Sequence, residues 1–137
     1  MSEITISNDR SLIDFDRLVA FIQDAYWGTG RSRETIRKSF DGAICFIAHE
    51  SGNQVGFARV ITDGAVLGYI CDVIVFEEFR GRGISKRIMR AILDHPDLQG
   101  LEGFMLATAD AQGLYEKFGF KRIGADNKYM RLTLVER

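Results

Sequence analysis

Apolar residues along this chain change their period several times, and the changes mark out its elements. Residues 3–7 (EITIS) alternate polar and apolar, as a short half-buried strand does. From Leu12 the spacing becomes helical. Leu12, Phe15, Leu18, Val19 and Ile22 fall on one stripe, with Ser11 placed to cap it and Asp14 three residues later. AYWGTGRSRE then reads as a loop, and Ser32 caps a second short helix ending near Phe40, ahead of the turn at Asp41 and Gly42. Residues 43–49 (AICFIAH) and 54–62 (QVGFARVIT) are β-rich and joined by Ser51, Gly52 and Asn53, a hairpin signal. After a turn at Asp63 and Gly64, residues 66–76 (VLGYICDVIVF) are apolar at nearly every position, which predicts a central strand covered on both faces. Ile84, Ile88, Ala91 and Ile92 form a further helical stripe that ends at His95 and Pro96. A short strand at 103–107 (GFMLA) precedes a helix carrying Ala111, Leu114, Tyr115 and Phe118, stopped by Gly119. Residues 121–123 and 128–134 read as the last strands. Hairpins followed by strand–helix–strand–helix predict an α+β fold with a mixed sheet, in one domain over 1–137.

Composition narrows the function classes. A domain of 137 residues buries roughly two-thirds of the surface its unfolded chain exposes, so it needs neither disulfides nor a structural metal. The two cysteines, Cys45 and Cys71, lie inside apolar strand runs and read as buried free thiols. His49 and His95 stand alone, so no metal site is expected. The first residues carry neither a secretory nor a transit pattern, and no apolar run approaches about 18 residues. The expectation is a cytoplasmic protein without a membrane partner. A formal net charge of −1 gives no global field to attract nucleic acid.

Against that neutral background, five of the eleven residues 80–90 are Lys or Arg: Arg80, Arg82, Lys86, Arg87 and Arg90. They surround Gly81 and Gly83 at a strand-to-helix corner. A helix N-terminus leaves about four backbone N–H groups unpaired, and bare glycine backbone lets a bulky oxyanion approach them. The corner therefore describes a phosphate cradle. The P-loop pattern is absent, because no Gly-Lys-Ser/Thr occurs in the chain. The dinucleotide pattern G-x-G-x-x-G fits in part only, since Lys86 stands where its third glycine belongs.

Arg80-Gly81-Arg82-Gly83-Ile84-Ser85 resembles the [QR]-x-x-G-x-[GA] signature of the GNAT family of acetyl-CoA-dependent N-acetyltransferases, with Ser85 departing from Gly or Ala. About 30 residues on, residues 108–120 (TADAQGLYEKFGF) resemble the family's N-x-x-A-x-x-L-Y-E-K-x-G-F, with Thr108 in place of the asparagine. The resemblance implies a GNAT-like, mainly antiparallel central sheet flanked by helices, with acetyl-CoA as co-substrate and no metal. It further implies that the backbone of Val73 and Val75 bonds the pantetheine arm. Amides of Gly81 to Ser85, including Ile84, would hold the pyrophosphate, with Arg80, Arg82 and Lys86 neutralising phosphates. Thr108 and Ala111, in the second motif, would also contact the coenzyme.

In the family the motif tyrosine, here Tyr115, protonates the departing thiolate; on pattern alone Tyr115 is a core residue. Asp72 interrupts the apolar run and is the candidate base, or else a structural residue bonded to backbone or to an arginine such as Arg59. Tyr26, Trp27, Arg31 and Arg59 are expected at the acceptor pocket, although the two aromatics equally suit a loop anchored on the core. The acceptor is a small-molecule amine or a peptide or protein amine, and a homodimer is left open. A non-catalytic acyl-CoA sensor is the alternative. An RNA-binding reading of the basic helix lacks interleaved aromatics and net positive charge.

Overall fold

Ser51 and Gly52 both take positive φ, 52° and 81°, the primed turn whose twist matches that of paired strands. They join β2 (Ile44–Glu50) to β3 (Asn53–Thr62), which pair antiparallel from Glu50 and Asn53 outward. In the computed structural model, which describes residues 3–135, this hairpin forms the second and third strands of a seven-stranded sheet. The other strands are β1 (Ile4–Ser7), β4 (Leu67–Val75), β5 (Gly103–Ala107), β6 (Lys121–Ile123) and β7 (Tyr129–Thr133), in the order β1-β2-β3-β4-β5-β7-β6. Only β4 and β5 run parallel. The chain is thus α+β with a mixed, mostly antiparallel sheet. No helix among the described residues is long and apolar enough to cross a membrane.

Strand alternation gives the sheet two faces, each covered by helices. On one, α1 (Phe15–Asp24) and α2 (Arg33–Asp41) pack Leu18, Ile22, Ile36 and Phe40 against Cys45, Ile47 and Phe57. On the other, α3 (Ile84–Asp94) packs Ile84, Ile88 and Ile92 against Phe46, Ala58 and Val60. Burying one such isoleucine is worth about 1.5–3 kcal/mol relative to leaving it in water. Gly56 lets α3 lie close: a Cβ there would sit 3.3 Å from both Ile84 and Ile88 and 2.8 Å from the Ile74 carbonyl.

Helix ends follow their side chains, with one difference from the sequence expectation. Ser32 caps α2 by accepting from Thr35 N–H, as predicted. Ser11 does not cap α1. Its backbone N–H and hydroxyl both donate to Asp9, closing a short 3-10 turn over Arg10–Leu12, and Asp14 caps α1 instead by accepting from Arg17 N–H. The Asp14 N–H is itself drawn to Gln54 Oε1 at 2.6 Å, so the chain turns there before the helix begins. The helix α4 (Gln112–Glu116) is also shorter than its stripe, leaving Phe118 outside it.

The second difference lies in β4. Arg59 pairs with Cys71 and Phe57 with Ile74, so Asp72 and Val73 together stand opposite Ala58. Asp72 takes φ of +51°, unusual for a residue other than glycine but tolerated by Asp. This bulge reverses the strand's facing. Ile70 belongs to the α3 side, whereas Ile74, an even number of residues on, belongs to the α1/α2 side. The parallel pairing with β5 covers only Leu67–Tyr69 against Gly103–Met105, and beyond it the two strands part. The expected covering of both faces therefore fails over the strand's second half, where Cys71, Asp72, Val73 and Val75 are only half-buried and line an opening.

Candidate active site

The opening between β4 and β5 is a cleft of about 480 Å³. Val73 and Val75 form one wall; Leu106, Ala107, Thr108, Ala111 and Tyr115 form the other; Arg80 lies at one end. Across the sheet, Tyr26, Trp27, Arg31, Arg59 and Asp72 line the same space. The structure thus gathers Tyr115, Asp72, Val73, Val75, Arg80, Thr108, Ala111 and all four expected acceptor residues around one cavity. Gly81, Arg82, Gly83, Ile84, Ser85 and Lys86 do not line it. They form the corner that follows β4.

Backbone polarity along β4 follows from its pairing. Phe76 N–H donates to the Val55 carbonyl, and Ile74 opposes Phe57, so these peptide groups face β3. By alternation, the peptide groups of Val73 and Val75 face the gap where β5 has departed. Arg80 Nε reaches the Val75 carbonyl from that side at 3.3 Å. An unpaired strand edge facing a cleft is a ready-made partner for an extended, amide-bearing ligand arm.

The corner is built from backbone conformation. Gly81 and Gly83 have φ of +81° and +74°, and nothing lies within 4 Å of where a Cβ would stand at either. Their requirement is thus left-handed backbone, which costs an ordinary residue about 1–2 kcal/mol. Gly83 caps α3 without a side chain, and the first α-type bond of the helix runs from Arg87 N–H to its carbonyl. The amides of Ile84, Ser85 and Lys86 are left as free helix-start donors. Lys86 is exposed beside them. Arg82 reaches the other way, to Glu50 at the end of β2, 2.7 Å away. That hydrogen bond holds the Glu50 carboxyl below its usual range and raises the guanidinium. Arg90 lies over the Phe118 ring, turned to solvent near Asp94.

Tyr115 is 7% exposed and sits edge-on to Phe120. Burial, with the Asp110 charge adding to it, pushes its phenol up to about 12. Among the described residues its hydroxyl has no hydrogen-bond partner; Tyr115 lines the cleft with its phenol protonated at neutral pH. Thr108 orders the approach to it: its hydroxyl accepts from Ala111 N–H at 3.0 Å, at the start of α4. Ordinary motif substitution thus keeps a side-chain acceptor at this position.

Both oxygens of Asp72 are engaged. Oδ2 accepts from Arg59 Nε at 2.6 Å, and Oδ1 accepts from Arg31 Nη1 at 3.3 Å, with the carboxylate only 2% exposed. The expected arginine pairing is present, with Arg31 as a second partner beside Arg59. Glu77 and Glu78 are exposed beyond the strand, Glu78 paired with Arg17. Tyr26 and Trp27 sit on the loop after α1, and Arg31 stacks its guanidinium 5.6 Å from the Trp27 ring.

Tyr69, Cys71 and Asp110 also line the cleft, and sequence reasoning missed them. Tyr69 and Cys71 stand two apart, the period that puts both on the Arg59 face, but an all-apolar run hides such a face. Burial pushes the Cys71 thiol up to about 11, so it stays a thiol at neutral pH.

Comparison with known proteins bears directly on this arrangement. The family model for the acetyltransferase (GNAT) domain matches residues 41–122, which include the bulged strand, the corner and α4. A crystal structure of a GNAT-family protein from Xanthomonas campestris superposes with a TM-score of 0.84 at 43% identity, covering 88% of this chain and 86% of that one. The N-acetylaspartate synthetase of Rattus norvegicus is 32% identical over 104 residues, 70% of this chain but 30% of the synthetase. N-acetylglutamate synthase from Neisseria gonorrhoeae, solved with coenzyme A and L-arginine, shares the fold (TM-score 0.77) at 18% identity, covering 99% of this chain and 34% of that one. The chain belongs to the GNAT acetyltransferase family.

Proposed function

We propose that the protein moves an acetyl group from acetyl-CoA to a primary amine by direct attack. The observation that carries this reading is that Tyr115, whose hydroxyl has no hydrogen-bond partner among the described residues, lines the same cleft as the outward edge of Val73 and Val75. The residues fit the coenzyme. The β4 edge offers alternating N–H and C=O groups to a pantetheine arm, and the left-handed corner offers the amides of Ile84, Ser85 and Lys86 to a pyrophosphate. The Neisseria relative's complex with coenzyme A supports the same use. Bound there, acetyl-CoA supplies an activated acyl group on a good leaving thiol.

The chain's own residues then have distinct tasks. The Val75 N–H points at the gap and stabilises charge developing on the acyl oxygen. Tyr115 donates to the departing sulfur; burial keeps its proton in place across the neutral range. The attacking amine loses one proton and the sulfur gains one, so the reaction is balanced without a metal or redox partner. Cys71, the one thiol lining the cleft, is held protonated, which favours direct transfer over an acetyl-cysteine intermediate. Asp72 acts as a clamp on Arg59 and Arg31 and leaves deprotonation of the amine to solvent. Release of coenzyme A thiol across an amine panel tests the proposal. Transfer to any amine supports it; tight acetyl-CoA binding with no transfer to any amine would leave the sensor reading instead.

A further inference from the structure

Resting on the reading of this cleft as an acetyl-transfer site, we propose that the acceptor is a small amine that also carries a carboxylate, and that Arg59 and Arg31 recognise that carboxylate. Arg59 is 7% exposed, on the middle of β3. Its Nε is spent on Asp72, but among the described residues its two terminal nitrogens have no hydrogen-bond partner. No side-chain nitrogen of the described residues is sealed away unpaired, so these groups open on the cleft that Arg59 lines. Those four N–H bonds, opening on the cleft from a nearly buried guanidinium, are free to donate to a group that enters it. Its planar fork matches a carboxylate in two parallel bonds.

The charge balance points the same way. Two guanidiniums meet one carboxylate at this end of the cleft, and both oxygens of that carboxylate are taken. Asp72 therefore has nothing left for an ammonium group at this end of the cleft; the other carboxylate that lines it, Asp110, stands on the loop before α4. Arg31, a third exposed and backed by the Trp27 ring, closes over the same spot from the loop. Arg59 lies opposite Cys71, two residues before Val73 across the bulge, so the arginine and the β4 edge border the same cleft and a short amino-carboxylate fits between them.

The test has two arms. In the first, coenzyme A thiol release is followed with the proteinogenic amino acids, each paired with its carboxamide, and with putrescine and a lysine peptide. The expected result is a free-acid preference of about tenfold to a hundredfold in kcat/KM, the range of charge-assisted bonds. Arg31→Gln should collapse that preference while acetyl-CoA affinity stays unchanged; Arg59→Lys, which keeps the charge but loses the fork, should reduce it in part. Equal use of carboxamides, or better use of putrescine or the peptide, overturns the inference and leaves acetyl transfer standing. In the second arm, no turnover is needed: acetate and acetamide are titrated into the nitrogen-15-labelled, coenzyme A-saturated protein while the arginine Nε–H resonances are followed. Saturable shifts with acetate but not acetamide, lost in Arg31→Gln, support the carboxylate site even if no amine is acetylated. Identical responses to both probes sink it.

Discussion

Tyr115→Phe removes one oxygen and keeps the ring that packs against Phe120 and the start of α4. Because the hydroxyl has no protein partner among the described residues, the variant leaves no orphaned group, and stability at pH 7 should change by less than about 1 kcal/mol. Turnover should fall by about a hundredfold, within the usual range for a lost general acid. Stopped assays of thiol release with saturating amine give kcat, and calorimetry of acetyl-CoA, expected within about twofold of wild type, gives binding. A second readout uses the titration itself. The phenol, raised to about 12 in the fold, ionises near 10 in an unfolded chain. The unfolded chain therefore loses its proton first, so the contribution is intact below about pH 10 and is lost as pH rises towards 12. Two units correspond to about 2.7 kcal/mol. Urea unfolding at pH 9 and at alkaline pH should show that wild type loses this much more than the Phe variant. Full turnover in the variant would refute the catalytic role, and an equal alkaline loss in both proteins would refute the buried, protonated phenol.

Asp72→Asn keeps a residue that tolerates the left-handed bulge but strips the charge facing a guanidinium of 9% side-chain exposure. A loss of about 2–4 kcal/mol in urea unfolding is expected, with the acidic limb of the pH–rate profile unmoved; a shifted limb would restore Asp72 as the base. Gly83→Ala forces a Cβ into left-handed backbone, costing about 1 kcal/mol in stability and weakening acetyl-CoA binding measured by calorimetry; undiminished affinity would mean the corner tolerates another conformation. Arg82→Glu places a carboxylate beside Glu50 at the corner, and acetyl-CoA affinity should drop in a salt-dependent way while the fold persists; unchanged affinity removes Arg82 from phosphate binding.

The parts of this molecule that were legible in its sequence are those in which a local rule decides. Ser51 and Gly52 announce their turn, Ser32 announces a cap, and Gly81 and Gly83 announce bare backbone before an amphipathic helix. The motif around Tyr115 is local too. What the sequence hid depends on partners far along the chain. Asp14 displaces Ser11 as a cap because Gln54, 40 residues away, captures its N–H. Nothing in YICDVIV states that Asp72 will be the extra residue of a bulge, since its positive φ is held by arginines on β3 and on the loop before α2. Without the bulge, Tyr69 and Cys71 read as core, and the cleft face they share with Arg59 stays invisible.

Three rungs of parallel pairing, Leu67–Tyr69 on Gly103–Met105, with the Glu102 N–H on the Val66 carbonyl just ahead of them, make the backbone seam between β4 and β5 among the described residues. The sheet is in effect two sheets stapled at one end, like the legs of a pair of dividers. A coenzyme lying along the Val73–Val75 edge would supply the cross-links that the departed strand withholds, so loading the donor and stiffening the scaffold become the same event.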